Sequence, residues 1–234
     1  MSSPHSKLTP CSQLYVSLNV QNTPLKSVLK ELTKQTGRRF ILDDPHFNKI
    51  PITLKSHAQP FLSVLMQIMI KTELDFQFQS NFIQIYQSGM PYQNFTTTGP
   101  AVIGYVVNSQ LSVGEPQSTS QPIKNPKINE GIGFAINIYV DPLEYQSIKA
   151  EFTLIEKSGR TDTVAYSQPA DMPNGFHIYA RVYPIQAPNH YRRYKGILKI
   201  KRPGLARFLP AKKYNYAFPI ATTPIITNSR ISSR

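Results

Sequence analysis

The chain has 234 residues, is 40% hydrophobic and carries a formal net charge of +13. That length supports two modest cores but not a transmembrane barrel with accessory domains, and no run of about 18 apolar residues is present to span a bilayer as a helix. One cysteine, Cys11, excludes an internal disulfide and a zinc ribbon.

Residues 1–14 hold Ser, Pro and Lys without an apolar centre, so they are expected to form a flexible N-terminus and do not read as a signal peptide. Pro10 directly before Cys11, with nothing apolar upstream, argues against a lipid-anchored cysteine. A duplication then begins. Leu18, Pro24, Ser27, Val28, Leu29, Thr36 and Phe40 recur 36 positions later as Leu54, Pro60, Ser63, Val64, Leu65, Thr72 and Phe76. In the first copy Val16, Leu18 and Val20 alternate as in a strand. Thr23-Pro24 predicts a helix start, with a Thr oxygen as cap and Pro at the first helical position. Leu25, Val28, Leu29 and Leu32 then make one apolar stripe, and Gly37 suits the left-handed position after the last turn. Phe40-Ile41-Leu42 return as a strand ending at the Asp43-Asp44-Pro45 turn. In the second copy the strand is Ile52 and Leu54, the helix begins at Pro60, the stripe is Phe61, Val64, Leu65 and Ile68, and Phe76 and Phe78 follow. A further strand, Phe82 to Tyr86, lies beyond the polar Gln79-Ser80-Asn81 turn. Two units are too few for a solenoid. The pattern predicts a closed β-α-β-β-α-β-β domain over residues 15–88, with the simplest layering placing both helices on one sheet.

The run from Val16 to Gly37 resembles the opening of the secretin and TonB receptor short N-terminal (STN, or N0) domain. Ile52-Thr53-Leu54, Pro60-Phe61, Val64-Leu65 and Phe82-Ile83-Gln84-Ile85 resemble the rest of that pattern. The resemblance covers about the first third of the chain and rests on packing residues rather than chemistry. It implies a module of bacterial envelope machinery acting through protein-protein contacts. The ring-building repeats and barrel of secretins, and the plug and barrel of receptors, have no counterpart here.

Residues 89–99, within a Gln-, Ser- and Thr-rich stretch, are expected to be a linker. Residues 108–131 are expected to form a long loop after an isolated strand near Ala101 to Val107. From Gly133 the pattern is strands only. Phe134, Ile136, Ile138 and Val140 alternate against Ala135, Asn137 and Tyr139, which predicts a half-buried strand. Further strands are expected at 148–155, 161–166, 175–183, 194–201 and 214–219, with turn residues at Lys157-Ser158-Gly159-Arg160 and Pro173-Asn174-Gly175. About seven short strands suggest an antiparallel β-sandwich over residues 100–220, immunoglobulin-like in outline but without the Trp and Cys pair of antibody domains. Residues 221–234 are left as a tail.

Asp171 is the last acidic residue, so the excess charge lies mostly downstream of it. Arg192, Arg193, Lys195, Lys199, Lys201, Arg202, Lys212 and Lys213 form a candidate patch for an anionic partner. An acidic protein, an anionic membrane surface or, less favoured, nucleic acid would be attracted by it. Alternation of Lys199 and Lys201 with Leu198 and Ile200 also suits a plain solvent-facing strand whose lysines discourage edge pairing.

The second helix is apolar nearly all round. Its own sheet covers one side, while Leu62, Met66, Met69 and Ile70 require a second cover, either the sandwich or a partner protein. No His-Glu-x-x-His spacing, phosphate loop, dinucleotide Gly motif or nucleophile elbow occurs, so an enzyme, a cofactor, a metal site and a small-molecule substrate are not expected. The resemblance, together with these absences, implies a non-enzymatic structural component of an envelope-spanning secretion or conjugation machine, similar to the type IV core complex. Its partners would be ring-forming subunits, and its location the periplasm or outer membrane. A regulatory module of the TonB-receptor type and a nucleic-acid-binding protein are the alternatives.

Overall fold

The computed structural model describes residues 9–79, 82–88, 92, 94–108, 133–156, 161–169, 176–181, 191–204 and 208–219. Strands β1 (Tyr15–Pro24) and β3 (Pro51–Pro60), and helices α1 (Leu25–Thr36) and α2 (Phe61–Thr72), repeat with the 36-residue spacing of the sequence. Strands β1 and β3 pair antiparallel, Tyr15 against Pro60 and Pro24 against Pro51, so equivalent residues exchange partners across a local two-fold axis. Each strand carries a bulge at the same place, with Asn22 at φ 49° and Ala58 at φ 46°. Each bulged N–H donates to a hydroxyl of the opposite strand at 2.9 Å, Asn22 to Thr53 Oγ1 and Ala58 to Ser17 Oγ.

Helix entry obeys the same axis and differs from expectation. Pro24 and Pro60 are extended cap residues just before the helices, and neither helix has a side-chain cap. Thr23 Oγ1 donates to the Gln21 carbonyl instead. The first helical N–H groups are satisfied by backbone of the other copy, Leu25 N donating to Ile50 O (2.8 Å) and Phe61 N to Leu14 O (2.9 Å). At the other end Gly37 (φ 70°) and Glu73 (φ 56°) both adopt the left-handed cap.

The returning strands break the symmetry. Strands β2 (Arg39–Leu42), β4 (Leu74–Phe78) and β5 (Phe82–Gln87) form a sheet in the order β2-β5-β4, with β2 parallel and β4 antiparallel to β5. The helices therefore share a two-stranded and a three-stranded sheet rather than one sheet. Both apolar stripes are buried at 4% exposure or less, and the Phe40 and Phe61 rings meet edge to face at 6.2 Å. Asp44 accepts from His46 N at 2.8 Å, converting the expected turn into a short 3-10 helix over Pro45–Lys49.

Eight strands follow: β6 (Asn94–Thr98), β7 (Ala101–Asn108), β8 (Gly133–Tyr139), β9 (Ser147–Glu156), β10 (Thr161–Pro169), β11 (Phe176–Arg181), β12 (Tyr191–Lys201) and β13 (Lys212–Pro219). They form two four-stranded antiparallel sheets, ordered β11-β8-β7-β6 and β10-β9-β12-β13. The sheets meet at both edges, β6 against β13 and β11 against β10. Among the described residues the chain is thus mixed α+β, mostly strand with two helices.

Four expectations change. Residues 94–98, expected within the linker, form edge strand β6, and Thr98 Oγ1 donates to Asn215 O of β13 at 2.9 Å. Strand β7 is central in its sheet rather than isolated. Strand β8 is not half-buried: Asn137 and Tyr139, on its expected polar face, are 1% and 2% exposed. That face is covered because Val102 and Tyr139, paired in register, join the core of the N-terminal module. Alternation turns Ile103 and Ile138 to the other side, toward the second sheet, where Ile148, Ala150, Leu198 and Ile200 are buried. Of residues 1–14, expected to be flexible, Cys11–Gln13 form a 3-10 turn with Cys11 fully buried. The expected loop at 108–131, apart from Asn108, the turns at 80–81, 157–160 and 173–175, and the tail lie outside the described residues.

Candidate functional site

Helix α2 supplies the apolar half of the junction between the N-terminal module and the β-domain. Leu62, Met66 and Met69 are at most 3% exposed and Ile70 is half-buried, with α2 lying against β6 and β7. Leu62, Met66 and Met69 are therefore corrected as a surface for a separate partner, since α2 is covered within this chain by β6, β7 and the Cys11–Gln13 turn. Gly104 of β7 allows the approach, since a Cβ there would sit 3.1 Å from Met66 Cε and from the Tyr92 ring.

The polar half has two clusters. In the first, the buried Asp75 of β4 accepts from its neighbour Phe76 N (2.7 Å), from Tyr86 OH (3.2 Å) and from Asn137 Nδ2 (3.3 Å), and also from the Tyr139 hydroxyl. Asn137 Nδ2 donates to Tyr139 OH at 3.0 Å, so one hydroxyl both donates and accepts between two strands of different domains. The Tyr139 ring stacks on Phe76 at 4.3 Å. Burial, then the adjacent Asp75 carboxylate, pushes the Tyr139 phenol well above its ordinary range. This cluster has the groups of an acid-base site but almost no exposure, and its chemistry is that of a lock.

In the second cluster Arg38, just before β2, bonds through Nη2 to Asp141 Oδ2 (2.5 Å) and to Thr9 O (2.7 Å), and is itself buried. The same Asp141 oxygen accepts from Cys11 N at 2.9 Å, while Asp141 Oδ1 caps Leu143 N of the short 3-10 turn Pro142–Glu144 at 3.0 Å. Ser12 Oγ donates to Glu144. The N-terminal segment is therefore pinned between Arg38 of the N-terminal module and Asp141 and Glu144 after β8. Burial, followed by the nearby Asp141 charge, pushes the Cys11 thiol far up, so it is held as the unreactive form.

Beside this second cluster opens a cleft of about 490 Å³. Its lining includes Ser12 and Glu144 together with Arg202, Lys212 and Tyr214 from the turn end of the β12–β13 hairpin. Lys212 Nζ lies 5.3 Å from the Tyr214 ring centre. The floor includes Gly99, whose φ of 55° and contact with the Tyr214 ring leave no room for a Cβ, which would fall 2.1 Å from Cε1. Burial raises the Glu144 carboxyl above the usual Glu range, and its Oε2 has no hydrogen-bond partner among the described residues. Such a cleft can hold a carboxylate between an exposed guanidinium and an exposed ammonium. Among the described residues, no group of three or more His, Cys, Asp or Glu could hold a metal ion.

The expected cationic patch divides. Arg202 and Lys212 share the cleft, and Lys201 and Lys213 are exposed next to them in sequence. Lys199 is instead half-buried and ion-paired with Glu151 across β12 and β9, so its charge is already matched. The side chains of Arg192, Arg193 and Lys195 lie outside the described residues. Sequence reasoning missed Asp75, Asn137, Tyr139, Arg38, Asp141 and Glu144. The only signals were an Asp and an Asn inside otherwise apolar strands. Comparison with protein-family models, with curated proteins and with solved structures finds no match to this chain.

Proposed function

We propose that the protein is a non-enzymatic structural component of a bacterial envelope-spanning secretion or conjugation machine. In this reading the N-terminal module is of the STN/N0 type and contacts neighbouring subunits. The β-domain, immunoglobulin-like in outline, docks an acidic segment of a partner protein in its basic cleft. The observation that carries the reading is the β-α-β-β-α-β-β order of the duplicated module, which agrees with the resemblance drawn from packing residues. The rigid junction supports it further, because a module bolted to a second domain by buried polar groups suits a scaffold better than a mobile signalling arm.

With α2 covered, a surface open to neighbouring copies is the edge strand β2, which among the described residues pairs only with β5 and exposes Ile41 at 40%. The cleft supplies Arg202 and Lys212 for the acidic segment. Affinity purification of the tagged protein from detergent-solubilised envelopes of its native host, with mass spectrometry and imaging, tests the proposal. A large symmetric assembly is expected, lost in Ile41→Asp while the purified variant keeps its melting temperature. A small complex without repeated subunits, or a nucleic-acid-bound protein, would overturn it.

A further inference from the structure

Of the five large apolar side chains most exposed among the described residues, Phe208 (75%) and Leu209 (62%) are adjacent, and Leu143 (45%) lines the cleft together with Pro203. The first two stand beyond the last cross-strand pair of the β12–β13 hairpin, Ile200 with Lys212. Lys201 and Arg202 precede them and Lys212 and Lys213 follow, all exposed. No carboxylate occurs after Asp171, so none lies in the hairpin; the acidic group facing it from another element is Glu144, across the cleft. An ordinary solvated hairpin tip carries polar or small residues. Here two of the most exposed large apolar side chains are flanked in sequence by four exposed cations.

We propose that the β12–β13 tip is a membrane-docking wedge, in which Phe208 and Leu209 enter the acyl boundary of an anionic bilayer while Lys201, Arg202, Lys212 and Lys213 engage lipid phosphates. The combination is what interfacial binding needs, since neither a short apolar insertion nor a small basic cluster alone gives stable attachment. Charge complementarity selects an anionic surface over a neutral one. The apolar pair selects a bilayer over an acidic protein or nucleic acid, neither of which offers a fluid apolar layer under its charges. The wedge does not depend on the acidic-segment reading of the cleft, and purified protein with lipid alone tests it.

The chain contains no Trp, so Phe208→Trp places a single reporter at the tip. The full-length variant is mixed with vesicles of phosphatidylglycerol and phosphatidylcholine, or of phosphatidylcholine alone, and read by emission and by co-sedimentation. The expected result is a blue shift and co-sedimentation with the anionic vesicles only. Phe208→Ser/Leu209→Ser should lower partitioning at least about tenfold, and Lys212→Gln/Lys213→Gln on the order of tenfold at low salt. Unchanged melting temperatures would show that both variants fold. Binding without a blue shift, partitioning unaffected by the serine substitutions, equal binding to neutral vesicles, or no binding would each overturn the wedge.

Discussion

Removal of Asp141 probes the joint between the two domains most directly. In Asp141→Ala the Arg38 guanidinium stays buried, bonded by Nη2 only to Thr9 O, and its Nε already lacks a partner. Cys11 N and Leu143 N lose their acceptor as well. Breaking a buried, hydrogen-bonded ion pair while leaving one charge behind costs about 3 to 5 kcal/mol. With a urea dependence of about 3 kcal/mol per molar for a chain of this size, the midpoint should fall by about 1 to 1.7 M. Urea titration followed by far-ultraviolet circular dichroism and by tyrosine fluorescence reads this, and divergence of the two curves would show the domains unfolding separately. Replacing both partners, as Arg38→Met/Asp141→Leu, should recover much of the loss because neither charge then remains buried. A midpoint within about 0.3 M of the parent for Asp141→Ala, or a double variant worse than either single one, would refute the account of the joint.

Tyr139→Phe keeps the stacked ring but removes the hydroxyl between Asp75 and Asn137, and should cost about 1.5 to 3 kcal/mol in the same titration, since the lost bond is to a buried carboxylate. The Cys11 thiol should resist an aromatic disulfide reagent at neutral pH until the chain unfolds, and should react faster in Asp141→Ala, where its segment is no longer pinned. Glu144 has a raised folded-state pKa, so its protonated form is favoured by folding. Its contribution is present below the ordinary Glu range and lost as pH rises through the raised value. Glu144→Gln should therefore raise the melting temperature at neutral pH, with the difference closing as pH falls below about 4.

The duplicated module was legible because its information is local. Strand alternation, a stripe at helical spacing and a turn residue all fall within 36 positions, and each acts on its own neighbours. The helix entries were misread for the opposite reason: Leu25 N finds its acceptor at Ile50, and no propensity in the Thr23-Pro24 pair reports a carbonyl 25 residues away. Strand β6, Asn-Phe-Thr-Thr-Thr, has the polar composition of a loop because as an edge strand it keeps residues such as Asn94 and Thr97 in water. The burial of α2 on a second side was predictable from its composition, but the identity of its cover was not. That depended on strands β6 and β7 reaching it. The locks were the least visible, since Asp75 and Tyr139 lie 64 residues apart and Arg38 and Asp141 lie 103 apart. The cleft was half visible, as Arg202 and Lys212 stood in the expected cationic run while Glu144 and Ser12 did not.

The two helices of the duplicated module show how one scaffold can present opposite faces. Leu62, Met66, Met69 and Ile70, which carry or flank the contact with the β-domain, correspond by the 36-residue shift to Lys26, Lys30, Thr33 and Lys34 on α1. The three lysines are exposed, while the inward stripe Leu25, Val28, Leu29 and Leu32 is as buried as its counterpart on α2. The backbone symmetry thus creates two equivalent berths on the module, and four side chains determine that the β-domain occupies only one. Exchanging those four for their α2 counterparts would leave a bare apolar face on α1, because the β-sheet face that could cover it is already held by α2 of the same chain, and an uncovered face of that kind is an aggregation liability.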